Sequence, residues 1–213
     1  MARIALVAGA TGLVGGLLLR KLEASADWSE VRVIGRRPPS REAGKIRFIS
    51  SDFSDLPSHA ADLGADDVFC CLGTTIRAAG SQPAFERVDY HMVVDLARAA
   101  HKAGAKRFYV VSAIGASANS AAFYSRVKGR MEKAVSEIPF EAVHVVQPSL
   151  ILGDRSERRP AEKLAQQFAP LLSPLLAGPL KKYRAVPADD VAAALLTLAR
   201  TAERGVHTHS LPL

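Results

Sequence analysis

The stretch "RIALVAGATGLVGGLLLRKLEAS", residues 3–25, joins two hydrophobic periods through a run of glycines. Residues 3–9 are a short apolar run with the length and composition of a buried strand. Residues 13–25 carry leucine and valine at helical spacing, so a helix follows. Between them Gly9, Gly12 and Gly15 stand in the spacing G-x-x-G-x-x-G. A strand, a glycine turn and an apolar helix in that order suit a phosphate. Gly9 permits the tight turn, Gly12 lets the backbone approach a pyrophosphate, and Gly15 lets the helix pack close to the strand. Thr11, Leu13 and Val14 complete this cofactor-binding loop, where the helix N-terminus presents unpaired N–H groups and positive potential. The bland alternative is a glycine-rich turn with no ligand.

The same alternation continues along the chain. Strands are expected at 31–36, 45–50, 67–73, 107–113 and 141–148, with a further strand at 206–211. Helices are expected around 56–62 and over 84–104, 120–137 and 188–205, the last with Asp189 as its N-cap and Gly205 just past its end. Strands that alternate with helices imply parallel pairing through right-handed crossovers. The fold class is therefore α/β, a doubly wound parallel sheet with helices on both faces. Residues 1–213 form a single domain in this reading, with 149–187 as a short C-terminal elaboration on the substrate side. Within it, "FAPLLSPLLAGPL" (168–180) is too rich in leucine for open water and too rich in proline for one helix. It is expected to cover the substrate pocket or to join two subunits as a homodimer.

Composition narrows the class. The 213 residues are 48% hydrophobic and 23% charged, a globular profile, and no run of about 18 apolar residues suggests an integral membrane protein. The N-terminal residues do not read as a cleavable signal. The two cysteines, Cys70 and Cys71, are adjacent and offer no disulfide framework, so a cytoplasmic location is expected. They are read as small core residues on opposite faces of a strand rather than as nucleophiles. The net charge of +7 is scattered and diluted by acids, with aromatics at only 6%, which argues against nucleic acid as the partner. His59, His91, His101, His144, His207 and His209 show no metal-ligand spacing, and no metal is expected. His207 and His209 read as exposed residues of an edge strand.

The end of the second strand speaks to the nucleotide. An acid there commonly binds both ribose hydroxyls of NAD, but "VIGRRPP" places Arg36 and Arg37 instead. A guanidinium grips a phosphate bidentately and a carboxylate repels it, so NADP(H) is favoured over NAD(H). Asp52 and Phe53 in "SSDFSD" follow the third strand, where the edge and face of an adenine are met. Leu72, Gly73 and Thr74 follow the fourth strand at the carboxyl edge, and Pro148 ends the sixth.

Ser112 closes the fifth strand. In "YSRVKG" (124–129), Tyr124 and Lys128 lie four residues apart, on one face of the next helix. A hydroxyl, a phenol and an ammonium thus converge beside the expected nicotinamide. With these residues in view, the chain resembles the short-chain dehydrogenase/reductase superfamily of Rossmann folds. "CLGTT", "VDYHMV", "AKRFYVVSAIGA" and "YSRVKG" resemble its atypical branch of Tat-interacting-protein-like oxidoreductases. "QPSLILG" (147–153) and "VPADDVAAALLTLA" (186–199) are looser matches to the extended branch. The resemblance implies that Tyr124 is the acid/base, Lys128 tunes it and holds the ribose, and Ser112 steadies the substrate oxygen. The asparagine of the family's usual tetrad has no clear counterpart. Asp89 sits near the expected helix as a weak substitute.

A free tyrosine titrates near 10, and a neighbouring ammonium favours phenolate. The expected function is hydride transfer from NADPH to a small carbonyl substrate. A non-catalytic NADP(H)-sensing or interaction module on the same fold is the alternative.

Overall fold

Hydrophobic runs split by a period of two decide the architecture. In the first strand, Arg3–Ala8 (β1), Leu6 and Ala8 face one layer while Ala5 and Val7 face the other. All four are fully buried, as expected of a strand covered on both sides. The computed structural model describes residues 3–40, 44–153, 184–201 and 203–212. After β1 come α1 (Leu13–Ala24), β2 (Trp28–Gly35) and β3 (Ile46–Ser50). A tight turn over Leu56–His59 leads into the short α2 (Ala60–Leu63), and β4 (Asp67–Cys70) follows. Next are α3 (Ile76–Ala79) and α4 (Gln82–Glu86), a π-helical turn over Arg87–His91, and α5 (Met92–Lys102). The chain continues through β5 (Arg107–Val111), α6 (Phe123–Ser136), β6 (Ala142–Pro148) and β7 (Ile151–Leu152). It closes with β8 (Val186–Pro187), α7 (Ala188–Leu198) and β9 (Gly205–Leu211).

Seven strands pair in the order β3-β2-β1-β4-β5-β6-β9, every pair parallel, and β7 pairs with β8 separately. Helix α1 packs with α7 on one face, over Val7, Val33, Phe69 and Tyr109. Helices α5 and α6 cover the other face, over Leu6, Val68, Phe108 and Val145. This is the doubly wound sheet the alternation implies. The order reverses between β1 and β4, and the carboxyl ends of those two strands open a crevice there.

Several boundaries differ from the sequence reading for physical reasons. The expected helix over 84–104 is a helical run from Gln82 to Lys102, interrupted by the π turn around the buried Asp89. Asp189 does not cap α7. Pro187 occupies that position, and Asp189 lies in the first turn, paired with Lys21 at 2.9 Å. Gly205, with φ 94°, opens β9 rather than closing the helix, which ends at Leu198. His207 and His209 lie on β9, but they are half-buried beside His144 rather than open to solvent. Residues 154–183, and with them the "FAPLLSPLLAGPL" segment, lie outside the described residues. No helix among the described residues is long and apolar enough to cross a membrane.

Candidate functional site

The first turn of the site is built by exclusion of side chains. Gly9 sits at φ 83°, and a Cβ there would lie 2.5 Å from the Cys71 carbonyl oxygen, so neighbouring backbone leaves no room. A Cβ on Gly15 would lie 2.2 Å from the Gly9 carbonyl oxygen, which is how closely α1 approaches the strand end. Gly12 caps α1 without a side-chain hydrogen bond, and no acid occupies the first turn. The N-terminal N–H groups therefore face the crevice with no built-in anion beside them. Thr11 and Gly12 are exposed, Leu13 is half-buried, and Val14 is anchored in the core. An uncapped helix N-terminus and a cradle too tight for any Cβ fit a dinucleotide pyrophosphate.

Arg36 and Arg37 follow β2 directly, and both are exposed. Neither side chain forms a hydrogen bond or ion pair with another described residue, so both are free to meet a phosphate. Asp52 is exposed, its carboxylate held by the Ser54 hydroxyl at 2.5 Å and the Ser54 N–H at 2.9 Å, which keep it below the usual carboxylate range. Phe53 adopts φ 68°, an unusual value for a bulky residue, and its ring is 9% exposed within the core. The strained turn at Phe53 thus offers a ligand its backbone and little of its ring. Cys70 and Cys71 pack toward opposite layers, as expected, and burial raises both thiols, Cys70 to about 12.

The polar end of the crevice is organised around Lys128. Its ammonium is almost wholly buried and lies 2.7 Å from Oδ1 of Asp89, whose side chain has no exposure. The other Asp89 oxygen accepts the backbone N–H of Thr74 at 2.8 Å. A Cβ at Gly73 would sit 3.4 Å from Asp89 Oδ1 and 3.8 Å from Lys128 Nζ, so the β4 loop passes directly over the pair. Leu72 is half-buried against the core below. Burial works against the Lys128 charge, but the Asp89 carboxylate and the neighbouring Tyr124 outweigh it and hold its pKa above the ordinary lysine value.

Tyr124 is 38% exposed, with its ring 5.5 Å from that of Phe85. Ser112 is buried, and its hydroxyl has no hydrogen-bond partner among the described residues. Its backbone N–H donates to Val146 O at 2.7 Å, and Ile114 N–H donates to Pro148 O at 2.9 Å, so β6 holds the loop after β5 in place. Contacts thus join the glycine loop to the end of β4, and join Gly73, Thr74 and Asp89 to Lys128 and through it Tyr124. Ser112 and Pro148 stand at the carboxyl ends of the neighbouring β5 and β6.

Two residues matter more than the sequence suggested. Asp89 is no loose substitute but the direct partner of Lys128. Gly129 lies where a Cβ would meet the Ser117 and Ala118 backbone at 2.2 Å, so the loop after Ser112 rests on α6 at that point. The glycine closing "YSRVKG" was the available signal.

Known proteins share this arrangement of sequence and fold. Residues 9–160 match the protein family described as NAD(P)H-binding. Protein HTATIP2 of Rattus norvegicus is 38% identical over 166 residues, 76% of this chain and 68% of its own. The mitochondrial protein fmp52 of Aspergillus niger is 35% identical over 201 residues, 91% of this chain and 85% of its own. Among solved structures, MoeE5 in complex with UDP-glucuronic acid and NAD superposes with a TM-score of 0.72 at 21% identity. That match covers 96% of this chain and 74% of MoeE5. The oxidoreductase ylbE from Lactococcus lactis superposes with a TM-score of 0.68 at 19% identity, over 97% and 90% of the two chains.

Proposed function

This chain belongs to the NAD(P)H-binding family, among the homologues of HTATIP2 and Fmp52, and from that premise we propose that it is an NADPH-dependent reductase of a small carbonyl compound. The observation that supports the reading is the Ser112 hydroxyl, buried just past the carboxyl end of β5 with no hydrogen-bond partner among the described residues. A buried polar group without a partner costs free energy unless a ligand satisfies it. A carbonyl oxygen is such a ligand.

In this reading the glycine loop and the α1 N-terminus hold the pyrophosphate, and Arg36 and Arg37 hold the 2′-phosphate that distinguishes NADP(H). When bound, the nicotinamide supplies the hydride. Ser112 donates a hydrogen bond to the substrate oxygen and orients it. Tyr124 donates the proton to that oxygen as negative charge grows on it, and Lys128 supports the resulting phenolate. The exposure of Tyr124 allows its proton to be replaced from solvent. The free thiols suit a reducing compartment, for which the cytoplasm is our proposal. The fungal relatives' names give the mitochondrion, and fractionation distinguishes the two.

One observation favours a second reading, a non-catalytic NADP(H) sensor: the Lys128 ammonium is already paired with a carboxylate. A panel of aldehydes and ketones, followed by loss of NADPH absorbance, separates the two. Turnover of any member that disappears in Tyr124→Phe supports the reductase. Tight NADPH binding with no turnover across the panel supports the sensor.

A further inference from the structure

The Lys128–Asp89 contact changes what the ammonium can do. A lone ammonium one helical turn from a phenol favours phenolate through its full charge. An ammonium 2.7 Å from a buried carboxylate presents Tyr124 with a dipole instead. We propose that Asp89 is the positioning residue of this site, holding Lys128 in place and partly neutralising it, and thereby keeping the Tyr124 phenol protonated at neutral pH. The proposal rests on the reductase reading for its catalytic meaning, but not for its electrostatics.

The surroundings are consistent with a dedicated pair. Asp89 lies in the π-helical turn, whose extra residue breaks the regular helical register between α4 and α5. Its second oxygen is committed to the Thr74 N–H at 2.8 Å, which fixes the carboxylate against the β4 loop. The Lys128 approach to Oδ1 is short, and both side chains are buried, so the two opposite charges are held together with little solvent between them. From β4 the Cys70 thiol faces the same ammonium, and with its pKa pushed up to about 12 it stays neutral while a tyrosine titrates. Arg130, two residues beyond Lys128 on α6, is engaged elsewhere, bound to Glu86 at 2.6 Å and stacked over Tyr90. Lys128 and Asp89 thus form a pair of opposite charges, and the ammonium of that pair acts on Tyr124.

The sign of the effect follows from removing one charge at a time. Asp89→Asn keeps an oxygen for Thr74 and removes the negative end, so Tyr124 should titrate lower by about one unit or more. Lys128→Gln leaves the carboxylate alone and should raise it. The double variant Asp89→Asn/Lys128→Gln is neutral at both positions, and Tyr124 should return close to its value in the unaltered protein.

The test is an ultraviolet titration of tyrosinate on the unliganded protein, with Tyr124→Phe as the blank that isolates one of the four tyrosines. A downward shift in Asp89→Asn supports the proposal, and no shift or an upward one overturns it. Should Asp89→Asn fail to fold, the comparison of Lys128→Gln with the double variant decides. A double variant titrating below Lys128→Gln supports the role of Asp89, and equal values overturn it. No substrate enters this measurement, so failure of the carbonyl panel sinks only the reductase reading, and an unmoved Tyr124 sinks only this one.

Discussion

Lys128 on α6 and Asp89 in the π-helical turn meet at 2.7 Å with almost no solvent at either side chain. The contact pins α6 to the helical run that carries Asp89, at the point where the β4 loop crosses both. Asp89→Ala leaves an ammonium buried without its counter-charge and takes the acceptor from Thr74. Breaking a buried pair in this way costs about 3–5 kcal/mol, more than the net contribution of the pair itself. Denaturant unfolding should show a loss of that size, partly recovered in Asp89→Leu/Lys128→Met. An Asp89→Ala protein of unaltered stability contradicts the burial of the pair.

Gly129 makes a separate demand. An alanine Cβ there would sit 2.2 Å from the Ser117 carbonyl carbon and the Ala118 nitrogen, both backbone atoms that cannot swing aside. The loop that follows Ser112 must lift, and the Ser117 N–H bond to Ser125 O at 3.0 Å must stretch. Gly129→Ala should cost roughly 1–3 kcal/mol of stability. It should also lower turnover while leaving NADPH affinity near that of the parent protein, because the glycine loop at residues 9–15 lies on another element. Calorimetry with NADPH and a steady-state assay together check the split.

The sheet and the nucleotide loop were legible because strands buried on both faces read as unbroken apolar runs, and because only glycine tolerates the contacts at positions 9 and 15. Tyr124 and Lys128 were legible through helical spacing and resemblance. Asp89 was legible only as a weak substitute for the tetrad asparagine, and its direct pairing with Lys128 was not, because that contact joins two separate helical elements. Only the π turn, a tertiary event, rolls Asp89 inward. The boundary of α7 was missed because Pro187 can begin a helix without a polar cap, and the Lys21 pairing of Asp189 joins residues 168 apart. The stack of Phe69, Tyr109, His144 and His207 across four neighbouring strands depends on strand order, which spacing along one chain does not reveal.

That stack carries a pH prediction. Burial, followed by the charges of His209 and His207, pushes His144 down to about 4, from an ordinary value of 6.5. The folded protein therefore holds this imidazole neutral where the unfolded chain protonates it. The stabilisation is fully present above about pH 6.5 and is lost as pH falls toward 4. Allowing for solvent screening at the open edge strand, the loss amounts to about 2 kcal/mol. His144→Phe retains a ring between Tyr109 and β9 and should flatten the fall in melting temperature across this window. An unchanged acid limb in that variant contradicts the assignment.

Cofactor choice turns on Arg36 and Arg37, the exposed pair at the end of β2. Loss of a charge-assisted phosphate contact costs roughly 1.5–3 kcal/mol. Arg36→Ala and Arg37→Ala should weaken NADPH binding by about that amount and leave NADH binding little changed, as measured by calorimetry. Equal affinity of the unaltered protein for the two cofactors contradicts the NADP(H) preference.

The three groups at the carboxyl edge should fail in a definite order. Tyr124→Phe removes one hydroxyl and keeps the ring that packs beside Phe85, so folding and cofactor binding should survive. Turnover should fall by about 10²–10⁴, the range for a positioned acid or base. Lys128→Met should do more. In the proposed mechanism it would remove the support for the phenolate and one contact to the ribose, and it leaves the Asp89 carboxylate buried against an apolar chain. Both turnover and NADPH affinity should drop, together with some stability. Ser112→Ala should do least, because water can enter beside the substrate oxygen and replace one hydrogen bond, whereas no water replaces a tuned phenol. The variants are compared under one assay with a substrate taken from the carbonyl panel. If Tyr124→Phe reduces that substrate at the parent rate, the phenol is not the proton donor.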